Sequence, residues 1–208
     1  QPITRFGFDA AIIFSDILMV PWALNRNVRF KTGVGPLLDP MDAASDLDDR
    51  LLSGMSQKLS PVGKAIATCR SRLAPETALI GFAGAPWTII TYMAEGGSSR
   101  DFSTARNWAW SDPAGFDRLL DQITEATADF LSIQAENGAD ALMLFDSWAS
   151  AVPACQRRQI VINPVRKLVE IIRSRGFKQP IIGFPKGIAE GLIAYTEETG
   201  VDAVGIDH

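Results

Sequence analysis

Strand and helix signals alternate five times along the 208 residues, with no composition shift to mark a linker. That alternation predicts a single α/β domain, 1–208, built on a parallel sheet. A repeated sentence supports it. Gly7-Phe8-Asp9-Ala10 opens an apolar run that stops on Asp16. Gly138-Ala139-Asp140-Ala141 opens one that stops on Asp146, and Gly200-Val201-Asp202-Ala203 one that stops on Asp207. Continuous apolar runs of this kind suit strands covered on both faces. The strand exits are rich in polar and aromatic residues, which favours a barrel over a doubly wound sheet. A closed barrel takes about eight units and about 250 residues. The chain is therefore expected to be a TIM (β/α)8-type barrel in incomplete form, an interior portion of about five or six βα units with open edges.

Each element has its own signal. Between the first strand and Ser60 the text is irregular. Val20-Pro21-Trp22 leads to the Gly/Pro-dense stretch Thr32-Gly33-Val34-Gly35-Pro36 and an acidic segment from Asp39 to Asp49, which reads as a working loop above the sheet. Ser60-Pro61 supplies an N-cap and a first-turn proline, predicting a helix to about Leu73. Residues 78–84 read as a buried strand. Pro86 starts a helix that Gly96-Gly97 ends. Asp112-Pro113 caps the longest helix, whose Phe116, Leu119, Leu120, Ile123, Phe130 and Leu131 form one stripe up to about Asn137. After the second repeat come two shorter helical pieces, split at Asn163-Pro164 and ending near Gly176. Then follow a strand at 180–186, a helix at 187–199, and the third repeat.

Composition narrows the classes. Hydrophobic residues make up 47% of the chain, enough for a sizeable core and against disorder. No apolar run reaches the roughly 18 residues a membrane span needs, and no signal-peptide pattern opens the sequence. A net charge of −4 gives no general pull toward nucleic acid. Cys69 and Cys155 sit in no metal or redox spacing and read as inert, half-buried thiols of a reducing cytosol. The only histidine is His208, so a Ser-His-Asp triad is implausible and a zinc site of His and Cys lacks ligands at workable spacing.

The acids of the repeat divide by position. Asp9, Asp140 and Asp202 enter strands and are expected to be structural, bonding backbone or a helix end. Asp16, Asp146 and Asp207 leave strands and are expected to face the pocket. Asp16, flanked by apolar residues, is the one singled out. It is either the N-cap of the next helix or an acceptor aimed at ligand N–H groups and developing positive charge. The turn Gly81-Phe82-Ala83-Gly84-Ala85-Pro86 lacks a P-loop's Lys-Ser/Thr but opens a helix, where free N–H groups attract anions. Tyr92 is a core tyrosine or a binding group. Ser147 is a helix cap or a binding group. Lys186 is a pocket cation or a surface lysine.

Phe14-Ser15-Asp16-Ile17-Leu18-Met19-Val20-Pro21, Gly81 to Thr88 with Tyr92-Met93-Ala94-Glu95-Gly96-Gly97, and Leu144-Phe145-Asp146-Ser147 together resemble the uroporphyrinogen decarboxylase family. The likeness runs over nearly the whole chain. It implies a β/α barrel, usually a cytoplasmic homodimer. Its activity would convert the four acetate side chains of uroporphyrinogen III to methyls, giving coproporphyrinogen III without cofactor or metal. On the same likeness, Asp16 takes the pyrrole N–H groups and stabilises a protonated pyrrole. Tyr92 and Ser147 contact substrate carboxylates, and Phe145 lines the pocket wall. The family's arginine-rich motif and its later histidine are not in these 208 residues, so the isolated segment is expected to be inactive. Two other expectations are a corrinoid-dependent methyltransferase of the same barrel superfamily and a non-catalytic barrel scaffold.

Overall fold

The computed structural model describes residues 2–33, 35–41, 47 and 49–207; most of the acidic stretch between Asp39 and Asp49 lies outside them. Helix α1 (Pro2–Phe6) precedes strand β1 (Ala10–Ile12), and the short α2 (Met19–Ala23) follows. Strands β2 (Arg29–Lys31) and β3 (Gly35–Leu37) make a small antiparallel hairpin. Then come α3 (Asp49–Arg70), β4 (Ala78–Gly84), α4 (Pro86–Glu95), α5 (Ser103–Ser111), α6 (Pro113–Glu136) and β5 (Ala141–Asp146). A π-helical turn (Arg158–Ile162) runs into α7 (Asn163–Ser174), and β6 (Ile181–Pro185), α8 (Gly191–Thr199) and β7 (Ala203–Val204) finish the chain. The main sheet is parallel throughout, in the order β1-β4-β5-β6-β7. Five parallel strands with helices between them are an arc of a β/α barrel, as the alternation predicts.

Burial shows which face of the arc is covered. Along β5 and β6 exposure alternates with a period of two. Leu142, Leu144 and Ile181 are fully buried against the helix layer, while Met143, Phe145 and Phe184 on the other face are only half-buried. The apolar runs thus do not mean two covered faces here. The helix side is packed by the predicted α6 stripe, with Leu119, Ile123 and Leu131 fully buried, and α6 lies between α3 and α7.

The acids that enter strands lock the sheet in a repeated way. Leu79 N–H donates to Asp140 Oδ2 at 2.7 Å, and Asp140 N–H returns a bond to Leu79 carbonyl at 2.7 Å. Arg70, ending α3, reaches the same Oδ2 at 2.6 Å and the Thr77 carbonyl at 2.9 Å. Ile181 and Asp202 repeat the exchange at 2.8 and 2.9 Å. There Arg173 of α7 supplies the cation at 2.6 Å and binds the Gln179 carbonyl at 2.9 Å. Asp140 and Asp202 are therefore structural, as expected. Asp9 does not repeat this exchange: its backbone carbonyl accepts Ala78 N–H at 2.9 Å, and its side chain, just before the edge strand β1, is exposed, which departs from the structural role expected of it.

Several boundaries differ from the sequence reading. Helix α3 begins more than two turns before Ser60 and carries Pro61 inside it. Met55, Leu59 and Ile66 are buried on one stripe across the proline, so packing overrides the local start signal, and exposed Pro61 faces solvent. Part of the expected loop is the β2–β3 hairpin, and α5 was not anticipated. The break at Asn163-Pro164 is a change from π to α winding within continuous helix. Helix α8 starts at Gly191 instead of Gly187. Cys69 is half-buried, but Cys155 is exposed.

Candidate active site

Chain direction puts the C-terminal ends of β1, β4 and β5 side by side, and a cleft of about 320 Å³ opens there. Its walls are Phe14, Ile17, Pro36, Phe82 and Phe145, and its polar groups are Asp16, Tyr92 and Ser147. Asp16 and the three residues that the family resemblance adds to it, Tyr92, Phe145 and Ser147, thus meet in one hollow from three separate stretches of chain. Larger surface hollows, of about 440 Å³ beside α6 and α7 and about 530 Å³ near Asp140 and Pro180, contain none of them.

Asp16 sits just past β1, where the chain turns toward α2. One carboxylate oxygen accepts Leu18 N–H at 2.7 Å, an Asx turn that fixes the side chain. The N-cap reading does not hold, because α2 has Leu18 at its N-cap with no side-chain cap bond; Asp16 orders the turn before that helix and lines the cleft. Burial is the main cause raising its pKa above the usual carboxylate value, and the Leu18 N–H bond opposes that rise.

The floor is aromatic. Phe14 stacks on Phe82 with centroids 5.0 Å apart and planes 11° from parallel. Phe82 meets Phe145 edge-on at 5.7 Å, and Phe145 meets Phe184 edge-on at 5.8 Å. Phe14 just past β1, Phe82 of β4, Phe145 of β5 and Phe184 of β6 form this row across four neighbouring strands. At the next strand Gly205 makes room, since a Cβ there would stand 2.6 Å from the Phe184 ring. Only Phe145 of the row was expected in the site. Phe184 and Phe82 read as ordinary strand residues, and their common level depends on register.

Tyr92 lies one turn beyond Thr88 on α4 and is 7% exposed. Burial raises its pKa first, the Trp148 indole opposes the shift, and the charge of Asp16 adds to it. Its hydroxyl is a proton-bearing donor at neutral pH. Ser147 follows β5 and opens on the cleft.

The other exit acids do not face this hollow. Strand alternation turns Asp146 away from the cleft, into the helix layer, where it is 1% exposed. Thr88 hydroxyl donates to its Oδ1 at 2.6 Å. Burial raises its pKa to about 7 against the opposing bonds from the Thr88 hydroxyl and backbone N–H. The anion at the start of α4, sought as a ligand in the glycine-rich turn, is thus the protein's own carboxylate. Asp207 Oδ2 accepts Gly187 N–H at 2.7 Å and caps the turn after β6. Lys186 is exposed, the surface alternative. No Lys or Arg lines the cleft among the described residues. Among the same residues no three His, Cys, Asp or Glu side chains gather as metal ligands, and no helix is long and apolar enough to cross a membrane.

Comparison with known proteins adds identity to the geometry. A solved methyltransferase from Methanosarcina mazei superposes with a TM-score of 0.78 over 99% of this chain and 59% of its own, at 15% identity. That likeness carries the architecture alone. A uroporphyrinogen decarboxylase of Rhodospirillum rubrum is 44% identical over 207 residues, covering 100% of this chain and 60% of the relative. Another, from Novosphingobium aromaticivorans, is 46% identical over 209 residues with the same coverage. The chain therefore spans about 60% of the length of the relatives it matches. The family model described as uroporphyrinogen decarboxylase (URO-D) matches residues 1–208, and the chain belongs to that family.

Proposed function

We propose that the full-length protein carrying these residues decarboxylates uroporphyrinogen III at its four acetates, giving coproporphyrinogen III, with Asp16 as the catalytic group. The observation carrying this reading is a carboxylate fixed through one oxygen at an otherwise largely apolar cleft, with the hydroxyls of Tyr92 and Ser147 beside it. Adding a proton to a pyrrole carbon makes the ring cationic. The C–COO⁻ bond of the acetate then breaks, its electron pair flows into the ring, and carbon dioxide leaves. The exocyclic methylene takes up a proton to become methyl and the ring carbon releases its own, so each acetate exchanges one CO2 for one proton. The protonated ring is itself the electron sink, so the step needs no separate cofactor. Asp16 would accept pyrrole N–H groups while its charge lowers the energy of the ring cation, an interaction strengthened by the low polarity of the walls. Tyr92 and Ser147 would hold substrate carboxylates, and Phe145 would pack against the macrocycle.

The substrate carries eight carboxylates, and no basic side chain lines the cleft among the described residues. The matching cations are assigned to parts of the full-length protein outside these 208 residues. A homodimer in the cytoplasm, free of nucleic acid and membrane, completes the proposal on the family likeness. The experiment is Asp16→Asn in the full-length protein. Decarboxylation should fall by about 10²-fold or more with the melting temperature retained, and an unchanged rate would leave Asp16 without its role.

A further inference from the structure

Asp146 is a buried carboxyl that the proposed chemistry does not use. It lies between two cleft residues, Phe145 and Ser147, yet points the other way. Thr88 hydroxyl donates to Asp146 Oδ1 at 2.6 Å and accepts Trp148 N–H at 3.3 Å. The same two segments are tied again where the Trp87 indole N–H donates to the Trp148 carbonyl at 2.8 Å and Ala85 N–H to the Phe145 carbonyl at 2.9 Å. Thr88 and Tyr92 are one helical turn apart on α4, so they share a face. The turn held by Thr88 therefore presents Ser147, and the helix holding it presents Tyr92.

From this geometry we infer that Asp146 is a positioning residue which, acting through Thr88, sets the spacing between Tyr92 and Ser147 at the cleft. The inference rests on the decarboxylase reading, since it assigns those two hydroxyls to substrate. Plain packing is a poor account of the carboxyl. Its Oδ2 and the Tyr195 hydroxyl of α8 are both buried with no hydrogen-bond partner among the described residues, and an apolar side chain would avoid that penalty. A costly polar group on the turn that links two cleft residues fits a role in geometry.

The test is a double-mutant cycle in the full-length protein, reading KM and kcat for uroporphyrinogen together with melting temperature. Asp146→Ala is expected to raise KM about tenfold with a smaller change in kcat. Asp146→Asn keeps an oxygen toward Thr88 and should stay within about twofold of wild type. Asp146→Ala added to Ser147→Ala should worsen KM by no more than about twofold, because the group being positioned is already gone. If Asp146→Ala does not fold, Thr88→Val, which removes the hydroxyl alone, should give the same rise and the same lack of additivity. Fully additive effects, or an Asp146→Asn variant as impaired as Asp146→Ala, would overturn the clasp while leaving the site reading standing. Unchanged KM in both Ser147→Ala and Tyr92→Phe would overturn the site reading, and the clasp with it.

Discussion

Asp16 lies past the end of β1 and Asp146 ends β5, each after an apolar run with a phenylalanine, directly before Asp146 and one serine away from Asp16. Their environments separate them. Asp16 has one oxygen in an Asx turn and lines the cleft; Asp146 is enclosed by the helix layer. Because burial raises the Asp16 pKa, the proposed chemistry loses its anion on acidification. The acid limb of the full-length protein's pH–rate profile should therefore lie above the normal carboxylate value and disappear in Asp16→Asn, as initial rates across pH would show. Asp146 bears on stability. Its pKa rises from the model-peptide value 3.8 to about 7 in the fold, mainly through burial. The native state thus binds more protons than the unfolded chain between about pH 4 and 7, and this contribution to stability is lost as pH rises through that window. Asp146→Asn should remove that slope, so its melting temperature relative to wild type should increase from pH 4 to 7. A constant difference would show that Asp146 does not titrate there. That Asp16, Tyr92, Phe145 and Ser147 would share one hollow was legible from position for Asp16 and from the family motifs for the other three. The inward or outward aim of Asp146 was not, because the run before it is apolar at every position and hides the period of two.

The arginine–aspartate locks belong to the scale of elements. Each joins the end of a helix, the loop after it, and the edges of two neighbouring strands through one carboxylate. Asp140→Ala would leave the Leu79 N–H and the Arg70 guanidinium without that acceptor. With the Asp140 side chain 48% exposed, solvent compensates part of the loss, and the expected cost is about 1–2 kcal/mol. Urea unfolding of the wild type and the variant would measure it, and no change in midpoint would contradict the lock. Asp140 and Asp202 were legible as structural because they enter strands, at the end of a β/α unit that carries stability, but their arginine partners come from helix ends 70 and 29 residues away. Strand and long-helix positions also followed from sequence, notably α6 and its stripe. The start of α3, the β2–β3 hairpin and α5 did not. A proline or a glycine pair is a strong local signal, and in α3 it loses to a buried stripe that local signals do not contain.

At the scale of the molecule, the sheet is an arc with two open edges. Phe6, Phe8, Ile12 and Phe14 are exposed around β1, and Ile206 beside β7, at 42–75% exposure. Unpaired strand edges with apolar neighbours are surfaces on which other chains add. The isolated 208-residue chain is therefore expected to self-associate, and light scattering after size exclusion should show species larger than the monomer. A stable monomer would mean that the edges are better protected than their exposure suggests. The same segment should turn over no uroporphyrinogen, since its described cleft residues give the eight carboxylates no cation; any turnover would contradict that. The parallel arc was legible from alternation and repeat. The half-open inner face was not, because a run apolar on both faces looks the same whether or not the far side is covered.

On the proposed chemistry Asp16 faces the middle of the macrocycle. A structure of the full-length protein with coproporphyrinogen bound tests it most directly. The Asp16 carboxylate should lie within about 3 Å of pyrrole nitrogens, with Phe145 against the ring and Ser147 and Tyr92 at side-chain carboxylates. A product seated elsewhere, or one whose pyrrole nitrogens turn away from Asp16, would contradict it.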